Sequence, residues 1–130
     1  MVQSTAAMTP AEAAPQRQRH RPIDMTHLGR QALGDPGLES EILRLFDTMS
    51  RTYYERLESS TSVEQLLEHL HTLKGAAAGV GAWGIADLAR ATEEELRAGA
   101  PVNPERIDDL GMAVHECSAY IGTLLENEPA

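Results

Sequence analysis

The sequence is poor in cysteine, in aromatic residues and in long apolar stretches, and each shortage excludes a class of protein. Cys117 is the single cysteine among 130 residues, which excludes an internal disulfide and a zinc site built from a cysteine cluster. Aromatic residues make up only 4% of the chain, so the core is predicted to be aliphatic. With 42% apolar residues, the length suits one domain, and the composition favours packed helices over a β-sandwich.

No stretch approaches the roughly 20 consecutive apolar residues that a membrane-spanning helix needs, and the N-terminus lacks the apolar segment of a signal peptide. Together with the lone cysteine, these absences predict a soluble cytoplasmic protein without a membrane partner. The net charge is −9, and three of the 11 basic residues but only one of the 20 acidic residues precede Ile23. The remainder is therefore strongly acidic and would repel the phosphate backbone of a nucleic acid.

The chain divides into an irregular start and a helical body. Residues 1–21 show no periodicity and contain two prolines, which predicts a disordered N-terminal extension. Residues 22–127 form the predicted helical domain. Within it, Asp24 is placed to cap a short helix.

Four longer apolar stripes of helical period follow, over about residues 38–58, 62–81, 85–96 and 103–125. Leu45, Met112 and Cys117 are counted among the packing residues of these stripes. The connections between them are short. This pattern predicts an all-α fold, an antiparallel four-helix bundle with a short additional N-terminal helix.

The segment LHTLKGAAAGVGA combines leucines at helical spacing with a run of small residues. At 100° per residue, His71 lies about 120° from the centre of the apolar stripe and therefore faces outward. Gly75, Ala78 and Ala82 fall on nearly the same side, and Lys74, the only lysine of the chain, falls on the flank. Neutral imidazole is a nucleophile near pH 7, and a lysine one turn away suits phosphate. We therefore expect another molecule to approach this surface closely.

The longer segment HTLKGAAAGVGAWGIADLARATEE resembles the signature of histidine-containing phosphotransfer (HPt) domains, in which a lysine and a glycine follow the histidine by three and four residues. The resemblance covers about residues 23–126. It implies that His71 accepts a phosphoryl group on Nε2 and that Lys74 helps to neutralise it. Gly75 would leave room for an incoming partner.

Members of this family often hold the imidazole Nδ1–H with a Gln or Glu on the next helix, and the matching position here is Glu93. Such a carboxylate would fix the tautomer and raise the basicity of Nε2. Two features leave this assignment open. Glu93 begins an EEE run of the kind found on solvated helix faces, and Thr92 stands where the family has leucine.

The function implied by the resemblance is that of a phosphorelay intermediate in bacterial two-component signalling. The partner would be the receiver domain of a response regulator or of a hybrid histidine kinase, whose aspartate exchanges the phosphoryl group with His71. The chain has no Walker or kinase motif, so it is predicted to be a carrier without kinase activity or an intrinsic cofactor, and magnesium is expected in the receiver domain. Six surface residues around the histidine are expected to bind the partner or set its specificity: Glu64, Glu68, Ala78, Ala82, Arg90 and Arg97.

Two alternatives remain open from the sequence. A helical adaptor could dock a signalling partner through the His71 face without being phosphorylated. Glu68 and His71 also form an E-x-x-H pair like those of di-iron carboxylate bundles. That site needs a second pair, and Asp24 and His27 offer only D-x-x-H on a short helix, so no metal site is predicted.

Overall fold

The computed structural model describes residues 21–127, which contain five helices and no strand. The predicted disordered extension, residues 1–21, lies outside the described residues except for Arg21. The helices are α1 Met25–Gln31, α2 Pro36–Glu58, α3 Val63–Val80, α4 Trp83–Arg97 and α5 Pro104–Glu126. The prediction of an all-α fold is confirmed for this part of the chain. None of these helices is long and apolar enough to cross a membrane.

Capping residues explain where the helices begin and end. Four helices follow a side chain that accepts a hydrogen bond from a backbone N–H of the first turn, namely Asp24, Asp35, Ser62 and Asn103. The helix α3 ends at Val80 and is followed by the cap residue Gly81, whose φ of 86° lies in the left-handed region that favours glycine. Only Gly81 and Ala82 separate α3 from α4, so the chain reverses sharply and these two helices pack side by side.

The four long helices pack in a closed ring. The helix α2 contacts α3 and α5, and α4 contacts the same two helices, whereas α1 lies against α2 and α3. The side chains between them are mostly aliphatic, and four of the largest are fully buried: Leu70, Leu73, Leu110 and Ile121. Cys117 belongs to this core, as predicted, and burial raises the pKa of its thiol to about 12.

Leu45 and Met112, which were predicted to be packing residues, are largely exposed instead. Leu45 is 69% exposed, because α2 turns Leu43 and Phe46 toward the core, and Met112 is 71% exposed on α5. Leu45 has apolar neighbours at helical spacing, Ile42 and Met49, so only the rotation of α2 against its neighbours decides which of these positions is buried. Met112 instead has polar residues at all positions three and four residues away, namely Asp108, Asp109, His115 and Glu116, and it lies on the polar face of α5.

A buried cluster attaches α1 to the turn between α3 and α4. The Asp24 carboxylate accepts a hydrogen bond from the His27 backbone N–H at 3.1 Å and another from the Trp83 indole N–H at 3.0 Å. The Asp24 N–H donates to the Gly81 carbonyl at 2.9 Å. A Cβ atom at Gly81 would lie 3.0 Å from the Asp24 carbonyl oxygen, so the close approach as well as the positive φ requires glycine. This cluster fixes the start of α4, the helix that carries Glu93.

Replacing Asp24 by Ala is expected to lower the free energy of unfolding by about 2–3 kcal/mol. The change removes a helix cap and leaves the buried Trp83 N–H without its acceptor. Asp35→Ala is the matched control, because the exposed Asp35 side chain caps α2, and it should lose only about 1 kcal/mol. Urea titration measures both losses. Equal losses would mean that the bond to Trp83 contributes nothing.

Candidate functional site

His71 lies on the solvent-facing side of α3, where the helical period predicts it. The opposite face of the helix buries four residues of the core: Leu66, Leu70, Leu73 and Ala77. Each of them is at least about 100° away from His71 around the helix axis. The His71 side chain accordingly keeps 67% of its exposure, and a partner has free access to the ring.

Glu93 lies on α4 and points toward His71. It is 3% exposed, whereas the side chain of the next residue, Glu94, keeps 65% of its exposure. The Glu93 Oε2 lies 3.2 Å from the His71 Nδ1, and Oε1 accepts a hydrogen bond from the Lys74 Nζ at 2.8 Å. Arg97, one turn further along α4, donates from Nη2 to Oε2 at 2.5 Å. The EEE run is thus not a uniform solvated face, because its first carboxylate is buried and binds three side chains from two helices.

The cations around Glu93 keep its carboxyl group ionised. Burial by itself would raise the pKa, but hydrogen bonds from Lys74, Arg97 and His71, with the charge of Lys74, lower it from 4.5 to about 2. An ionised carboxylate has no proton to donate, so the proton in the bond between His71 and Glu93 lies on Nδ1. The lone pair of the neutral ring is then on Nε2, on the other side of the ring, which makes Nε2 the nucleophilic atom.

Lys74 lies on the flank of the site and is partly exposed. It follows His71 by three residues, so both side chains project from one side of α3. In the structure its ammonium pairs with Glu93 and not with the imidazole. The flexible lysine side chain would allow the ammonium to reach a group bound to the ring. In doing so, the ammonium would lose its hydrogen bond to Glu93.

Gly75 and Gly79 form an open strip beside the histidine on α3. Both are exposed, and a Cβ atom at either position would meet no heavy atom within 4 Å. Packing among the described residues therefore does not require glycine here. Glycine destabilises a helix interior by about 1 kcal/mol relative to alanine. Its use at both positions therefore indicates that side chains are absent here so that another molecule can approach His71.

The prediction that Ala82 is exposed is wrong, since this residue is fully buried. Ala78, which was also predicted to face the partner, is half-buried. The prediction continued the rotation of 100° per residue past the end of the helix. The helix α3 ends at Val80, and the left-handed Gly81 then turns the chain. The Ala82 N–H donates to the Ala77 carbonyl at 2.8 Å, so Ala82 is part of the core and its side chain cannot contact a partner.

The other predicted partner residues are exposed. Glu64 and Glu68 lie on α3 in the two turns before the histidine, and Arg90 lies on α4, where it pairs with two acidic residues of its own helix. Arg97 has a second role that the sequence analysis missed, its hydrogen bond to Glu93. The available signal was their spacing of four residues, which places both side chains on one face of a helix.

An apolar groove between α2 and α3 was also missed. Six residues line it: Ile42, Leu45, Phe46, Met49, Ala76 and Val80. Ala76 follows Gly75 directly, so the groove begins next to the open glycine strip. Periodicity cannot reveal such a groove, because residues of the same apolar pattern line both the core and this surface.

The E-x-x-H pair of Glu68 and His71 is not part of a metal-binding cluster in the described residues. Between residues 21 and 127, no group of three or more His, Cys, Asp or Glu side chains could hold a metal ion. The His71 Nδ1 faces Glu93. This geometry favours hydrogen bonding and nucleophilic chemistry at the histidine.

Comparison with known proteins agrees with this geometry. A family model described as Hpt domain matches residues 41–126, which is more than half of the chain. The match runs from α2 to the end of α5 and includes His71, Lys74, Gly75 and Glu93. No curated protein and no solved structure matches the chain.

Proposed function

This chain belongs to the Hpt domain family, and on that premise we propose that it is a phosphorelay intermediate that carries a phosphoryl group on His71. Domains of this family are histidine phosphotransfer carriers that interact with receiver domains in two-component phosphorelays. The specific proposal is that this chain exchanges the group with the aspartate of a response regulator or a hybrid histidine kinase. It would act without kinase activity of its own, in the cytoplasm of a bacterium.

One contact carries the proposal, the hydrogen bond between the His71 Nδ1 and the buried, ionised Glu93. It leaves the lone pair on Nε2 and holds the ring in one orientation. A surface histidine with no chemical role has no need of a buried carboxylate that fixes its tautomer. The second support is Lys74, whose ammonium is held 2.8 Å from the same carboxylate, within one helical turn of the imidazole.

The proposed transfer is a displacement at phosphorus. The Nε2 lone pair of His71 attacks the phosphorus of the aspartyl phosphate of the receiver domain. The N–P bond forms as the P–O bond to the aspartate breaks, and the carboxylate leaves with the bonding electrons. The Nδ1 proton stays on the ring, where Glu93 stabilises the positive charge that the phosphorylated ring acquires. Attack by a second aspartate reverses these steps and releases the ring as neutral imidazole.

The receiver domain is proposed to supply the second half of the chemistry, the aspartate and a magnesium ion. Phosphoryl transfer depends mainly on positioning and on stabilising charge, so a nucleophile and a cation on this chain can suffice. Gly75 and Gly79 would let the receiver domain bring its aspartate to the ring. The proposed scaffold is an antiparallel four-helix bundle with α1 as the additional helix, and it presents His71 from the middle of α3.

Incubation with labelled, phosphorylated receiver domains tests this function. The wild-type protein should take up label that is lost in acid and retained in base, as expected of phosphohistidine. His71→Gln should take up none while keeping its helical circular dichroism spectrum. Label on this variant would refute the assignment to His71.

A docking adaptor is the alternative, because the open glycine strip and the apolar groove would serve binding without phosphorylation. It becomes the better explanation if neither a panel of receiver domains nor the small donor phosphoramidate labels the wild-type protein. His71→Ala then provides the decisive comparison. An adaptor should keep its signalling output in this variant, whereas a phosphorelay intermediate should lose it.

A further inference from the structure

Arg97 makes a contact that the proposed transfer, which uses His71 as nucleophile and Lys74 as cation, does not explain. Its guanidinium donates to the Glu93 Oε2, the same oxygen that faces the His71 Nδ1. Lys74 binds the other oxygen, Oε1. Two cations from two helices therefore hold different oxygens of one buried carboxylate, and only one of the cations lies on the helix of the histidine.

Phosphorylation of His71 would change what Lys74 has to neutralise. A phosphoryl group carries close to two negative charges near pH 7, and it would attract the lysine ammonium, which sits on a flexible stem. As Lys74 turns toward that group, its bond to Glu93 must lengthen or break. A buried carboxylate that lost its only cation would be strongly destabilised.

We infer that Arg97 is a positioning residue for phosphotransfer, which keeps Glu93 in place against the His71 Nδ1 while Lys74 moves from Glu93 to the phosphoryl group. The inference rests on the proposed function. Arg97 suits this role because it is four residues from Glu93 on the same helix and its side chain does not lose its charge. It acts through Glu93 and not on the reacting atoms.

Without Arg97, the two tasks of Lys74 are in conflict. If the ammonium stays on Glu93, the charge of the transferred group is not balanced in the transition state. If the ammonium leaves, the carboxylate keeps only its bond to His71, and both the orientation and the tautomer of the ring become less defined. Either way transfer slows, by roughly 10-fold for the loss of one hydrogen bond to a charged group.

Phosphorylation of the full chain by phosphoramidate tests this inference, with Arg97→Gln compared against Arg51→Gln. Arg51 is the matched control, an exposed arginine on α2 that pairs with Asp47, four residues earlier on its own helix. Arg97→Gln should be phosphorylated roughly 10-fold more slowly, Arg97→Lys should recover part of the rate, and Arg51→Gln should match the wild type. A wild-type rate for Arg97→Gln would overturn the inference.

A double-mutant cycle separates positioning through Glu93 from a direct role. If Arg97 acts only through Glu93, then Arg97→Gln should change the rate by less than about 2-fold in a Glu93→Gln background. If Arg97→Gln lowered the phosphorylation rate as much in this background as in the wild type, Arg97 would not act through Glu93.

The ring 15N chemical shifts of His71 provide a readout that needs no phosphoryl donor. In the unphosphorylated protein, Lys74→Gln stands in for the departure of the ammonium from Glu93. Adding Arg97→Gln to this variant should move the shifts from the Nδ1–H form toward a mixture of the two tautomers, and unchanged shifts would speak against positioning. Because this comparison uses the unphosphorylated protein, it decides the role of Arg97 separately. If no donor labels the wild-type protein, the proposed function is refuted, whereas the chemical shifts still show whether Arg97 holds Glu93 in place.

Discussion

Replacing Gly75 by Leu is expected to slow phosphoryl transfer between a receiver domain and His71 by about 100-fold. A helical side chain leans toward the N-terminus of its helix, so the leucine would lie over the histidine four residues earlier. There it would occupy the space through which the aspartate of the partner must approach Nε2. Holding the reacting atoms about 1 Å too far apart is enough for a loss of about 100-fold.

The same substitution is expected to make the protein more stable. A Cβ atom at Gly75 meets no heavy atom within 4 Å, and leucine favours a helix over glycine by about 0.5–1 kcal/mol. The matched control is Gly122→Leu on α5, which also adds a side chain in open space. It should gain similar stability and keep the wild-type transfer rate. If Gly75→Leu lost stability together with activity, Gly75 would serve packing and not access.

Phosphoramidate distinguishes a docking defect from a chemical one in Gly75→Leu. This donor is much smaller than a receiver domain, so it can reach Nε2 beside a leucine that excludes a protein surface. Its rate should therefore fall far less than the rate with the receiver domain. Equal losses with both donors would place the defect in the imidazole itself.

The sequence alone could predict those features that depend on one helix at a time. The Ser62 cap starts α3, and the spacing of its leucines then turns His71 outward, which follows from the helical period without knowledge of the other helices. The prediction for Ala82 failed because it applied the same period beyond Gly81, where the helix has already ended. The helical period predicts the direction of a side chain only within the helix.

Glu93 shows why the rest of the site could not be predicted from local patterns. Three consecutive glutamates look alike in the sequence, yet one is buried, Glu94 is exposed and Glu95 pairs with Arg106 of α5. Their separation depends on how α4 is rotated and shifted against α3 and α5. That register follows from non-local packing, including the contact of Asp24 with the first residue of α4. The family resemblance pointed to Glu93, but only packing brings it to the imidazole.

Replacing Glu93 by Gln is expected to flatten the dependence of stability on pH in acid. The pKa of the Glu93 carboxyl is about 2 in the folded protein and 4.5 ordinarily, so between these values the unfolded chain binds a proton that the folded chain does not. Stability from this group is therefore fully present above about pH 5 and is lost as the pH falls toward 2. The linkage of 1.36 kcal/mol per pH unit gives a total of about 3 kcal/mol.

The quantity to measure is the difference in free energy of unfolding between the wild type and Glu93→Gln, because the other carboxylates contribute equally to both curves. It should shrink by about 3 kcal/mol between pH 7 and pH 2, whereas Glu94→Gln, which removes an exposed ion pair, should follow the wild type within about 1 kcal/mol. A constant difference would mean that Lys74 and Arg97 do not hold an ionised carboxylate. The His71 tautomer would then lose its physical basis, since a protonated Glu93 could donate to Nδ1 and leave the ring proton on Nε2, the atom that has to attack phosphorus.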